Sequence, residues 1–372
     1  MSPTDDPLAA LAAAGVSIWL DDLGRRRLDT GSLRALVDSS HVTGVTSNPS
    51  IFAKSIGEGA DYATELAALA RAAATAEQAV RALTTHDVRD ACELLAPVHE
   101  ASGGRDGFVS LEVDPRLARD TDATIAQAGQ LWAEVGRPNL MIKIPGTAEG
   151  LPAVTASLAS GINVNVTLIF GLDRYEAVMA AWLDGLEQAV AAGHDVVRLA
   201  SVASFFVSRL DSTIDALLAK NGGQSAAQLQ GRAAVANARL AYARHRAVIG
   251  SARWTALAAH GAQPQRPLWA STSTKNPAYD DTMYVVDLVA PGCVNTMPEG
   301  TLQAVADHGR VLADTITGHV DDAASVMRAL AEVGVDYDGV VADLERAGVE
   351  SFTAAWEQLL AAVQGALDSV RT

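Results

Sequence analysis

Positive charge is scarce in this 372-residue chain, where 28 Lys and Arg face 44 Asp and Glu for a formal charge of −16. Gripping a nucleic-acid backbone requires clustered cations, so no nucleic-acid partner is expected, and an anionic substrate would have to be met by local positive charge. Cysteine is almost absent, with Cys92 and Cys293 the only two. Their separation matches no metal or redox motif and suits small core residues in a reducing compartment. The eight histidines, His41, His86, His99 and His194 among them, show no ligand spacing, so no metal site is expected. No apolar run reaches the ~18 residues that span a bilayer. The start, Met1-Ser2-Pro3-Thr4-Asp5-Asp6, carries no basic leader segment. A soluble cytoplasmic protein without a membrane partner is the expectation. Aromatics are few, at 5%, and no stretch rich in Pro, Gly or Ser divides the chain, so residues 1–372 are read as one domain.

Hydrophobic residues are plentiful, at 49%, and they fall into two periodicities. Short strand-like runs occur at Ser17 to Asp22, Gly44 to Asn48, Phe108 to Val113, Leu140 to Ile144, Ile162 to Ile169, Val196 to Val202, Pro267 to Ser271 and Cys293 to Met297. Alanine-rich helical patterns separate them. Eight β-then-α units are the number that closes an α/β (β/α)8 TIM barrel, and no Gly-rich dinucleotide fingerprint follows the first run to favour an open sheet. Ile125, Ala128, Leu131, Trp132 and Val135 mark one covering helix that stops at Gly136, and Asp173 with Glu176 reads as the cap of another. Additional helices are expected between strands 2 and 3, after strand 6 (Gln224 to His260) and at the C-terminus. The first insertion, Gly57 to Gly103, is expected to break near Thr84 to Asp87, and the tail to be punctuated at Gly334 and Gly348. Arg25-Arg26-Arg27 reads as a solvated loop.

In such a barrel the chemistry sits at the C-terminal ends of the strands. Lys143 interrupts Leu140-Met141-Ile142-Lys143-Ile144-Pro145, an apolar strand otherwise buried on both faces. Desolvation there disfavours the ammonium and favours the free amine that carbonyl chemistry needs. The alternative is a lysine neutralised by a buried carboxylate such as Glu112 or Asp21. Those two acids, each inside an apolar run, are candidates for moving protons beside the lysine, or for a plain ion pair. Period-2 geometry turns Asp22 away from Asp21 and puts Asn163, Asn165 and Thr167 on one inward face, as substrate contacts or as a polar layer. Thr46 and Asn48 end the second strand, Ser204 follows the sixth and Ser271 ends the seventh. Arg209 and Lys275, just beyond, are the cations placed to meet a phosphate.

Several of these segments together resemble the transaldolase family. They are Trp19-Leu20-Asp21-Asp22, Gly44-Val45-Thr46-Ser47-Asn48-Pro49-Ser50, Val109-Ser110-Leu111-Glu112-Val113, Ile142-Lys143-Ile144-Pro145, Asn163-Val164-Asn165-Val166-Thr167-Leu168 and Ser204-Phe205-Phe206-Val207-Ser208-Arg209. The resemblance implies that Lys143 is the Schiff-base lysine and that Asp21 handles the proton of the C4 hydroxyl. It implies that Glu112 and Thr167 position the catalytic water, that Asn48, Asn165 and Ser204 bind the dihydroxyacetone unit, and that Arg209 binds phosphate. It further implies sugar-phosphate substrates, no metal or organic cofactor, and a monomer or homodimer. Lys275-Asn276 stands where shorter family members have a second phosphate-binding arginine, and the added helices resemble a longer subtype. A class I aldolase that releases free dihydroxyacetone, and a silent barrel that only binds sugar phosphates, are the competing expectations.

Overall fold

Val-, Ile- and Leu-rich runs buried on both faces need helices on one side and a filled lumen on the other, which is the condition a closed parallel barrel satisfies. The computed structural model describes residues 6–57 and 60–371, and its strands are β1 Ser17–Leu20, β2 Val42–Thr46, β3 Val109–Glu112, β4 Leu140–Pro145, β5 Val164–Ile169, β6 Ser201–Phe206, β7 Arg266–Ala270 and β8 Val294–Met297. They pair in chain order, all parallel, and β8 returns to β1 to close the barrel. The sixth expected run is displaced. Val196 to Ala200 form the turn and lead-in, so Ser204 lies within β6 rather than beyond it.

Alternation sorts each strand into two layers. Ile18, Leu20, Val109, Leu111, Leu140, Ile142, Ile144, Val164 and Val166 pack outward into the layer shared with the helices. Trp19, Phe108, Met141, Val202, Leu268 and Val294 pack together in the lumen and form its apolar floor. Gly44 makes room for that floor, because a Cβ there would fall 2.5 Å from the Trp19 indole. Above it the inward positions turn polar, and the change of chemistry along the barrel axis fixes where a substrate can sit.

The added helices are Pro49–Gly57, Ala63–Arg71 and Ala76–Ala101 between β2 and β3, Ser208–Asn221, Gln224–Ala227, Ala233–Ile249 and Ala252–Ala258 between β6 and β7, and Val320–Glu332 and Tyr337–Arg371 at the end. No break occurs at Thr84 to Asp87. The hydroxyls of Thr84 and Thr85 donate to the carbonyls of Val80 and Arg81, one turn back, and the helix runs through. Gly334 does separate the last two helices, but Gly348 lies inside the terminal one. A Cβ at Gly348 would sit 3.0 Å from Leu168 Cδ2, so glycine there lets the helix lie close on the barrel mouth.

Two further local expectations are corrected. The helix Leu172–Ala191 starts after Gly171 with no side-chain cap, and Asp173 and Glu176 instead bind Arg244. The Arg25 to Arg27 run opens a short helix, Arg25–Asp29, and is not a free loop. Arg25 reaches the buried Asp87 at 2.6 Å, which also accepts from Tyr62 Oη, while Arg27 joins Asp22 to Glu299. Among the described residues no helix is long and apolar enough to cross a membrane.

Candidate active site

The same alternation that buries Met141 in the floor brings Lys143, two residues on, into the lumen one level higher. Register places Glu112 of β3 beside it, and Asn165 of β5 on its other side. Lys143 is 4% exposed and Glu112 6%. The Lys143 Nζ lies 3.2 Å from Glu112 Oε2, donates to the Ser47 carbonyl at 3.1 Å, and stands 5.5 Å from the centre of the Phe352 ring. Both readings of this lysine therefore meet in one geometry, a buried amine that also has a carboxylate partner.

Two acids serve the lysine from different environments. Burial pushes the Glu112 carboxyl up to about 7 against the downward pull of Lys143, whose Nζ, 3.2 Å away, is its one close polar partner among the described residues. Asp21 follows directly after β1. Burial also raises its carboxyl, opposed by Lys143 and by the Thr46 hydroxyl, which donates to Oδ1 at 2.7 Å. Two carboxyls raised by burial beside an amine, Glu112 to about 7, are suited to passing protons. Asp22 turns outward to Arg27.

Around them a cavity of about 200 Å³ is lined by Asp21, Thr46, Asn48, Lys143, Thr167, Ser204, Arg209, Ser271 and Lys275, among others. Nine of the eleven residues singled out from sequence thus converge on one cavity, and the other two, Glu112 and Asn165, stand behind its wall. Asn165 is fully buried, donating to Ser110 Oγ at 3.0 Å and accepting from Ser204 Oγ at 2.7 Å, so it orients Ser204 from beneath. The Asn48 Oδ1 accepts from the Ile51 amide and caps the first turn of Pro49–Gly57, which leaves its NH2 for the cavity. Thr167 Oγ1 is buried with no partner among the described residues. Asn163 belongs to the polar-layer alternative, bonding the Pro138 and Leu140 carbonyls and the Ala200 amide at the foot of β5.

Arg209 and Lys275 supply the positive end. Each is held below its ordinary value by burial, Lys275 further by its neighbour Arg209, and neither forms an ion pair among the described residues. Two cations left facing each other in so acidic a chain call for an anion between them. Ser271, at φ 56°, bonds Ser208 at 2.9 Å and holds the strand-to-loop corner where these groups meet.

Sequence reasoning missed Thr296, Phe206 and Phe352. Thr296, whose hydroxyl lies 2.6 Å from that of Thr46, carried the same signal as the others, a polar residue in an apolar strand. Phe352 carried none, because its place above Lys143 depends on the long-range packing of the terminal helix. Among the described residues no cluster of His, Cys, Asp or Glu is arranged to hold a metal.

Fold and site together define a (β/α)8-barrel protein whose ionisable groups gather at the C-terminal mouth around one buried lysine. The model of the transaldolase/fructose-6-phosphate aldolase family matches residues 18–363, and the chain belongs to that family. It is 58% identical over 366 residues to a transaldolase of Acidothermus cellulolyticus, covering 98% of each chain. It is 56% identical over 371 residues to a transaldolase of Mycobacterium marinum, covering 100% of each, and 56% identical over 367 residues to transaldolase 1 of Streptomyces avermitilis, covering 99% of this chain and 97% of that one.

Proposed function

We propose that this chain is a transaldolase in which Lys143 forms a Schiff base with a ketose phosphate and hands its three-carbon dihydroxyacetone unit to an aldose phosphate. The observation that carries the reading is the buried Lys143 amine, 3.2 Å from Glu112 and in the wall of the cavity that holds Asp21, Arg209 and Lys275. Near-complete identity of length with relatives that bear the transaldolase name supports the activity, and neither the aldolase nor the silent barrel gains support from them.

In this reading the amine adds to C2 of fructose 6-phosphate or sedoheptulose 7-phosphate, and loss of water gives the protonated imine. Asp21 takes the C4 hydroxyl proton, C3–C4 breaks, and the bonding electrons pass to the imine to give an enamine. Glyceraldehyde 3-phosphate or erythrose 4-phosphate then accepts the new bond, and Asp21 returns the proton. Glu112 with Thr167 guides the water that forms and breaks the carbinolamine. Asn48, Thr46, Ser204 and Ser271 hold hydroxyls, with Asn165 setting Ser204. Arg209 and Lys275 hold the phosphate, and the imine itself is the electron sink, so the residues need no cofactor for the carbon–carbon step.

The barrel and its added helices act as one unit, since the terminal helix supplies Phe352 to the cavity. Every group named comes from one chain, so a monomer or homodimer suffices, and buried unpaired Cys92 and Cys293 suit the cytoplasm. The test is a transfer assay with fructose 6-phosphate and erythrose 4-phosphate. Equal yields of glyceraldehyde 3-phosphate and sedoheptulose 7-phosphate are expected. Free dihydroxyacetone appearing as fast as transfer would favour the aldolase instead.

A further inference from the structure

Beside the substrate cavity lies a second one of about 290 Å³, walled by Asn48, Thr84, Glu112, Gln127, Leu131 and Trp356, among others. The two cavities divide the chemistry. Asp21, Lys143 and Thr167 line the first, Glu112 lines the second, and Asn48 lines both. The terminal helix serves as part of the partition, presenting Phe352 to the first and Trp356, one turn later, to the second.

Two residues lining the second cavity carry buried polar atoms with unused hydrogen-bonding capacity among the described residues. They are Glu112, whose carboxyl has the Lys143 amine at 3.2 Å as its one close partner, and Trp356, whose indole N–H has no partner. An indole N–H only donates, and a carboxylate only accepts. A water molecule can satisfy both kinds at once, and buried polar atoms left by the protein are regularly satisfied in this way. Gln127 adds a polar side chain to the same wall.

We infer that this second cavity is the water inlet of the site, delivering the water of imine hydrolysis to the Lys143–Glu112 pair from the side opposite the sugar phosphate. The inference rests on the Schiff-base reading of Lys143. In the hydrolytic direction the water oxygen bonds to C2 of the imine while Glu112 takes its proton. The C2–N bond then breaks, its electron pair returns to the Lys143 amine with a proton, and the ketone leaves with the solvent oxygen. Imine formation is the same sequence reversed, so each cycle exchanges the C2 oxygen with solvent. A separate inlet lets Phe352 stay over the Lys143 amine in the substrate cavity while water arrives from the Glu112 side and meets Thr167 at the imine.

The test narrows the inlet from two walls, with Leu131→Phe on the helix Thr121–Val135 and Thr84→Met on the helix Ala76–Ala101. Exchange of ¹⁸O from labelled water into C2 of fructose 6-phosphate, without acceptor, is expected to fall about tenfold in each folded variant. Addition of erythrose 4-phosphate to enzyme already loaded with the dihydroxyacetone unit, a step that needs no water, is expected to stay within about twofold of the parent. Unaltered exchange in either folded, filled variant would overturn the inlet, and so would equal losses in both rates, which signal a merely structural effect. Absence of exchange in the parent would overturn the Schiff-base reading and the inlet with it.

Discussion

The Nζ of Lys143 and the Oε2 of Glu112 stand 3.2 Å apart, and the two residues are register partners across the β3–β4 ladder. Parallel pairing brings them to one level of the barrel, and the pleat turns both inward. In that position neither charge is screened by water. An isolated buried charge is costly, so each depends on the other.

Replacement of Lys143 by Ala takes away the proposed nucleophile and the counter-charge of Glu112 together. The carboxyl, already raised to about 7, then takes up a proton rather than remain a lone buried anion. Transfer activity is expected to fall below about a tenth of the parent, while thermal unfolding keeps one cooperative transition. Activity above that level in folded protein would remove Lys143 from the mechanism.

Glu112 gives the account a pH signature. If its carboxylate is the base for water, kcat/KM rises through about pH 7, and Glu112→Gln loses both that limb and about 10²-fold or more of the rate. Stability moves the other way. A carboxyl raised in the folded state from its ordinary 4.5 to about 7 contributes fully below 4.5, and that contribution is lost as pH rises through 7. The slope is at most about 1.4 kcal/mol per pH unit. Asp21 adds in the same direction. Urea midpoints measured across that window should therefore fall less steeply in Glu112→Gln, and an unchanged slope would assign the titration elsewhere.

Arg209 can be separated from the chemistry by choice of substrate. Arg209→Ala should raise KM for fructose 6-phosphate by ~10-fold or more, whereas imine formation with unphosphorylated dihydroxyacetone should hardly change. Arg209→Lys should recover only part of the loss, because an ammonium lacks the guanidinium fork. Equal damage with both substrates would show that Arg209 supports the site structurally.

Phe352, 3% exposed and over Lys143, closes the mouth from the terminal helix. Its replacement by Ala should destabilise the fold by about 3 kcal/mol or more, as for other buried aromatics. It should also raise the fraction of dihydroxyacetone released instead of transferred, since water then reaches the enamine. A melting curve and a product ratio measure the two effects, and an unchanged ratio would deny Phe352 the closing role.

How much of this was legible depends on whether a signal was local. Lys143 in β4 stood out because a charge in an apolar run is a local anomaly, Asp21 and Glu112 carried the same signal, and Thr167 was singled out by the alternation of polar and apolar residues in its strand. β6 was misplaced because Val196, Val197 and Leu199 read as a strand of their own, and only barrel closure decides that Ser201–Phe206 pairs with β5 and β7. Thr84 to Asp87 looked like a break because β-branched and acidic residues weaken helices. Back-bonded hydroxyls and the buried Arg25–Asp87 pair, which joins residues far apart in sequence, hold it helical. Asn165 was expected to touch substrate, yet its amide is engaged by Ser110 and Ser204. Phe352 and Trp356 had no sequence signal, since their roles arise only where the terminal helix crosses the mouth.

The Schiff base at Lys143 can be trapped by incubating the folded protein with fructose 6-phosphate, reducing with borohydride and locating the label by peptide mass spectrometry. One reduced dihydroxyacetone unit is expected on the peptide that carries Lys143. Label on another lysine, or none at all in active protein, would contradict it.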